Sequence, residues 1–154
     1  MTSTRLATVL AGMTALSTLA LATPAEAETN ITGAWSFRAN VKIKGCVLTG
    51  NMTISQPADN GIRTCSFVST EACEYAPGES WQMDQACRVT PQGDKYIIRS
   101  KVIRSLTPGY SLQNYLPDHF VVEPESSSLM TGIWQDANYA APVEFWRDDS
   151  LPVS

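Results

Sequence analysis

Trp35-Ser36-Phe37-Arg38-Ala39-Asn40-Val41-Lys42-Ile43-Lys44 alternates without a break. Trp35, Phe37, Ala39, Val41 and Ile43 fall on one side, and Ser36, Arg38, Asn40, Lys42 and Lys44 fall on the other. Period two is what a strand with one buried face requires, because successive side chains point to opposite faces of a sheet. Gly45 ends the run. A second alternating stretch sets Leu48, Met52 and Ile54 against Thr49, Asn51 and Thr53.

The rest of the chain continues in the same way. Pro57-Ala58-Asp59-Asn60-Gly61 is turn chemistry, since Asn-Gly accepts positive φ and Pro cannot extend a ladder. Strands are predicted from about Ile62 to Ser69, from Trp81 to Thr90 and from Tyr96 to Arg104, the last two joined by Pro91-Gln92-Gly93-Asp94. Thr107-Pro108-Gly109 opens the longest loop. Three more strands are expected at Asp118 to Val122, Ser128 to Gln135 and Pro142 to Arg147. No helical pattern of useful length appears, although a short helix between Glu71 and Gly78 or between Leu106 and Leu116 stays open. About eight short strands joined mainly by hairpins point to an all-β, antiparallel up-and-down barrel, which removes exposed edges by closing. A two-sheet sandwich is the alternative.

The N-terminus reads as a signal peptide. Arg5 is followed by an uncharged run from Leu6 to Ala22, then Pro24 and the small residues of Ala25-Glu26-Ala27, which places cleavage after Ala27. A membrane anchor is the competing reading, but the run is marginal in length, rich in Thr and Ser, and lacks basic stop-transfer residues. Residues 1–27 are therefore assigned as leader and 28–154 as one domain, directed to the periplasm or the medium. The formal charge is −4, and losing Arg5 and Glu26 leaves it unchanged. Scattered Lys and Arg argue against nucleic acid. No later segment is apolar for long enough to span a bilayer.

Cys46, Cys65, Cys73 and Cys87 are an even set in a chain headed for an oxidising compartment, so two disulfides are expected. They contain no C-x-x-C, and His119 has no ligand-spaced partner, so no metal or cofactor is assigned. Cys46 and Cys73 are equidistant from a point between Asp59 and Asn60. Cys65 and Cys87 are equidistant from Ala76. Residues that face each other across a hairpin are centred on its turn, which predicts Cys46–Cys73 and Cys65–Cys87. The sequential pairing, Cys46–Cys65 with Cys73–Cys87, is the alternative.

Gly33-Ala34-Trp35 at the start of the first strand resembles the G-x-W that opens lipocalin-type barrels, and Arg147 stands where those barrels place a basic residue over the tryptophan. The resemblance covers the two ends of the domain. It implies that Gly33, Trp35 and Arg147 are structural, with Trp35 plugging one end and Arg147 over its ring. A second resemblance, to small periplasmic barrels that inhibit secreted metalloproteases, rests on Gly33 to Trp35, Cys46 and Cys65. It implies an inhibitory N-terminal trunk, for which Glu28 to Thr32 is available. Cys73 and Cys87 depart from that pattern.

Asp118-His119 is where a histidine adjoins a carboxylate, but neighbours on a strand point apart and so make no relay by themselves. Ser111 and Ser126 to Ser128 lack a nucleophile setting such as G-x-S-x-G. Asp84, Asp94, Asp118, Glu123, Glu125, Asp136 and Glu144 offer carboxylate pairs, yet most lie beside turn residues, where acids serve solubility. Of Ile133-Trp134 and Phe145-Trp146, one member each should face outward, which makes Trp134 and Trp146 candidates for a contact surface. Asn30-Ile31-Thr32 and Asn51-Met52-Thr53 have the glycosylation spacing. The expectation is a monomeric, non-catalytic exported protein holding a small apolar ligand near Trp35, Tyr96, Tyr110 and Tyr115. A protein-interaction role, such as inhibition of an exported enzyme, is the rival, and an enzyme is third.

Overall fold

The computed structural model describes residues 29–147, so the leader assigned to 1–27 lies outside the described residues. Eight strands follow one another: β1 (Gly33–Val41), β2 (Cys46–Ile54), β3 (Arg63–Cys73), β4 (Trp81–Gln92), β5 (Lys95–Ser105), β6 (His119–Pro124), β7 (Leu129–Gln135) and β8 (Ala140–Arg147). Each pairs antiparallel with the next, and β8 returns to β1, closing a barrel. The up-and-down barrel is thus the observed fold, and the sandwich is not. Among the described residues no helix is long and apolar enough to cross a membrane.

β1 is shorter than its alternation. After Val41 the chain coils into a 3-10 turn, Lys42–Lys44, which Gly45 stops at φ 62° and ψ 35°. Ile43, expected inside, is consequently 79% exposed. The long loop after β5 holds a second 3-10 turn, Leu112–Asn114, started by the Ser111 side chain, which accepts from the Gln113 N–H.

The register delivers both expected disulfides. Cys46 faces Cys73 across β2 and β3, Cys65 faces Cys87 across β3 and β4, and each pair is bonded. At mid-height the lumen is filled by Phe37, Phe67, Phe120 and Phe145. The Phe37 ring centroid lies 5.7, 5.2 and 5.1 Å from those of Phe67, Phe120 and Phe145. Burying each ring contributes roughly 1.5–3 kcal/mol, and edge-on packing adds to it.

One end of the barrel is closed. Trp35, 1% exposed, donates its indole N–H to the Ile31 carbonyl at 2.8 Å. The Arg147 guanidinium lies 4.1 Å from the Trp35 ring and donates to the carbonyls of Asn30, Thr32 and Ser127. Tyr96 belongs to this end too, beneath Arg63 at 5.4 Å. The other end, where β2, β6 and β8 begin and β1, β3 and β7 finish, is open.

Candidate functional site at the open end of the barrel

Inward positions near the open end are polar. On β3 the phase that buries Cys65 and Phe67 goes on to bury Ser69 and Glu71. On β4 the ladder to β5 slips between Asp84, which faces Arg104, and Gln85, which faces Val102, leaving Ile103 as the extra residue. Such a bulge re-aims side chains and recurs beside binding sites. Here Gln85 is fully buried. Asp118, just before β6, is 1% exposed.

These groups form one network. Asp118 Oδ1 accepts from the Trp134 indole at 2.8 Å, and Oδ2 accepts from the Tyr115 hydroxyl at 2.9 Å and Gln85 Nε2 at 2.5 Å. Gln85 Nε2 also reaches Ser69 Oγ at 3.0 Å, while Gln85 Oε1 accepts from Ser100 Oγ and from the Asp118 N–H, each at 3.1 Å. The donors to the carboxylate are neutral. Burial raises the Asp118 pKa, and hydrogen bonds from Trp134, Tyr115, Ser69 and Gln85 oppose the shift. Burial, with the Asp118 charge behind it, also raises the Tyr115 pKa.

Above the network is a pocket of about 190 Å³ whose lining includes Asp118, Trp134, Tyr115, Glu71, Trp81 and Tyr110. Trp81 stacks on Tyr75 at 6.1 Å and tilts against Tyr110 at 5.9 Å. Lys44 reaches in from the turn after β1 and places Nζ 2.6 Å from Glu71 Oε1.

Of the four residues expected around a ligand, Tyr110 and Tyr115 line this pocket, whereas Trp35 and Tyr96 lie at the closed end, with the phenylalanine layer between. The phenylalanine rings fill the lumen at mid-height, and the pocket at the open end has a polar floor. Trp134 does not face outward as a contact residue; it is 2% exposed and points at Asp118, while Ile133 is outside. Trp146 does face outward, at 42% exposure. Ser69, Glu71 and Gln85 were missing from the expected site; the signal for Ser69 and Glu71 is a polar residue in the inward phase of a strand.

The other chemistry suggested by the sequence is dispersed. His119 points away from Asp118 and accepts the Ser100 N–H at Nδ1, 3.1 Å, leaving its proton on Nε2. Its pKa is lowered by burial and by Arg99, against Asp136. Ser126 to Ser128 turn at the closed end beside Arg147. Asp84 pairs with Arg104 at 3.0 Å and Glu123 with Lys95 at 3.6 Å, while Asp136 caps its own turn through the N–H groups of Asn138 and Tyr139. Cys46, Glu71 and Cys73 cluster within 4.8 Å, but the disulfide removes both thiolates that a metal would need.

No family model matches the chain, and neither does any curated protein. Among solved structures it is similar to a de novo designed fluorescence-activating β-barrel, with a TM-score of 0.53 and 10% identity, covering 80% of this chain and 97% of the design. At that identity the likeness is one of fold: a small, closed antiparallel barrel.

Proposed function

We propose that the chain is an exported, non-catalytic binding protein that takes one small, partly polar ligand into the open end of its barrel. The observation that carries this is the buried polar floor of Ser69, Glu71, Gln85 and Asp118 beneath aromatic walls, where the closed end buries one charged residue, Arg63, among the described residues. Buried polar and ionised groups add little to stability compared with apolar residues of the same shape, so their concentration at the one open end suits recognition better than folding. A pocket of about 190 Å³ is smaller than the roughly 300 Å³ at which drug-sized sites begin. The ligand is therefore fragment-sized. Tyr110 and Tyr115 keep their assigned role, Trp81 and Trp134 join them, and Trp35, Tyr96 and Arg147 serve as closure. Export rests on the leader features of residues 1–27 and fits the two disulfides.

Native mass spectrometry of the protein recovered from its own exported fraction tests the reading. A bound small mass that denaturation releases, and that Trp81→Ala loses, is the expected result. A bare protein whose fluorescence no small-molecule mixture from that fraction perturbs would count against it. The second reading, a protein contact, is favoured by a groove of about 540 Å³ on the outer face, where Arg38, Ile43, Pro142 and Trp146 stand exposed. In that case Trp146→Ala abolishes capture of a partner, and Trp81→Ala does not.

A further inference from the structure

The open-end pocket already holds a cation. Lys44 Nζ sits 2.6 Å from Glu71 Oε1 and 5.4 Å from the Tyr139 ring centroid. Burial alone lowers the Lys44 pKa, yet the hydrogen bond and charge of Glu71, with Asp136 and Tyr75 behind, leave it above 10.5. The surroundings favour positive charge. Besides Lys44, the acidic groups of the lining are Glu71, Asp136 and the buried Asp118, and the remaining walls include the rings of Trp81, Tyr75 and Tyr110. Aromatic faces attract ammonium groups through their quadrupole.

Lys44 is also the lining group best able to leave. It belongs to a 3-10 turn with no buried residue, its side chain is 21% exposed, and its neighbours Lys42 and Ile43 already face solvent. Rotation of a long, flexible side chain vacates the seat without moving a strand.

We propose that the pocket takes a small organic ammonium whose charged nitrogen displaces Lys44 from its seat between Glu71 and Tyr139, with its apolar part among Trp81, Tyr75 and Tyr110. The inference rests on the reading of the open end as a ligand site. Exchange of one ammonium for another leaves Glu71 compensated and buries no additional net charge. An anionic ligand meets Glu71 and Asp136, and a neutral one leaves Lys44 in place and shares the volume with it.

The test compares benzylamine with benzyl alcohol, a neutral molecule of the same shape, by tryptophan fluorescence and calorimetric titration of the protein and of Lys44→Met and Glu71→Gln. The unmodified protein should prefer the amine by about tenfold, and Lys44→Met should widen that ratio by about another tenfold, since the internal competitor is gone. Glu71→Gln should bring the ratio close to one. Equal binding of amine and alcohol by the unmodified protein overturns the ammonium assignment and leaves the ligand site standing. Binding of neither probe to any of the three proteins overturns both. Near-ultraviolet circular dichroism of each variant identifies one that fails to fold, and the comparison within the unmodified protein needs no variant.

Discussion

Asp118 brings a carboxyl group into the barrel with Trp134, Tyr115 and Gln85 as neutral donors. Since burial raises its pKa in the folded chain, the folded state holds that proton to higher pH than the unfolded state, whose value is about 3.9. Its contribution to stability is complete below the unfolded value and is lost as pH rises through the folded one. Asp118→Asn carries no titrating group, so urea unfolding from pH 4 to pH 8 should show the unmodified protein losing stability relative to this variant as pH rises. The surface carboxylates are common to both proteins and cancel in the difference; parallel curves would mean that Asp118 stays ionised throughout. Asp118→Ala orphans the Trp134 and Gln85 donors, each at roughly 1–3 kcal/mol, and should be the more damaging change at every pH. In the sequence this residue stands between Pro117 and His119 and reads as a turn acid. Nothing local distinguishes a carboxylate in water from one folded inward at the start of a strand.

Strand phase was legible wherever the inward residues were apolar. β3 shows both the reach and the limit of that signal: Cys65 and Phe67 announce the inner face, and the same count of two places Ser69 and Glu71 on it, yet polar residues there look like the solvent side. The centring of each cysteine pair on its turn gave the disulfide register, because a hairpin ladder permits one partner per position. Ile43 misled because its strand had already ended in a 3-10 turn, and Gln85 sits at a bulge that no period-two count contains. Gly50 is a further case. It faces Phe37 in the ladder, and a Cβ there would meet the Phe37 ring and the Val68 carbonyl. Gly50→Ala should cost about 1–3 kcal/mol by overpacking, measured by chemical denaturation. Phe37→Leu should relieve part of that cost, so the double variant ought to be more stable than the two single losses summed. Strict additivity would mean that the clash is with β3 backbone alone. Removing Cys65–Cys87 by paired alanines should cost about 3 kcal/mol through the freed unfolded chain, with the barrel still assembling.

The whole barrel divides its work between two ends separated by a layer of phenylalanine rings. Arg147 binds the closed end together through the Trp35 ring, the Asn30 and Thr32 carbonyls before β1 and the Ser127 carbonyl before β7. Lysine keeps the charge at this position but loses the planar stack and the forked donors, so Arg147→Lys should lower stability by about 1–3 kcal/mol. Its effect on benzylamine affinity should be nil, because the pocket lining includes none of Asn30, Thr32, Trp35 and Ser127, which Arg147 holds. Lys44→Met should do the reverse, changing affinity with a smaller effect on unfolding. Substitutions at distant sites without shared partners add to within about 0.5 kcal/mol, so the double variant Arg147→Lys/Lys44→Met should show both effects undiminished in denaturation and titration. A coupling well above that in either measurement would mean that the Phe37, Phe67, Phe120 and Phe145 rings shift as a unit. The filled lumen would then transmit closure at Trp35 to the pocket at Trp81, and a ligand at one end would tighten the seal at the other.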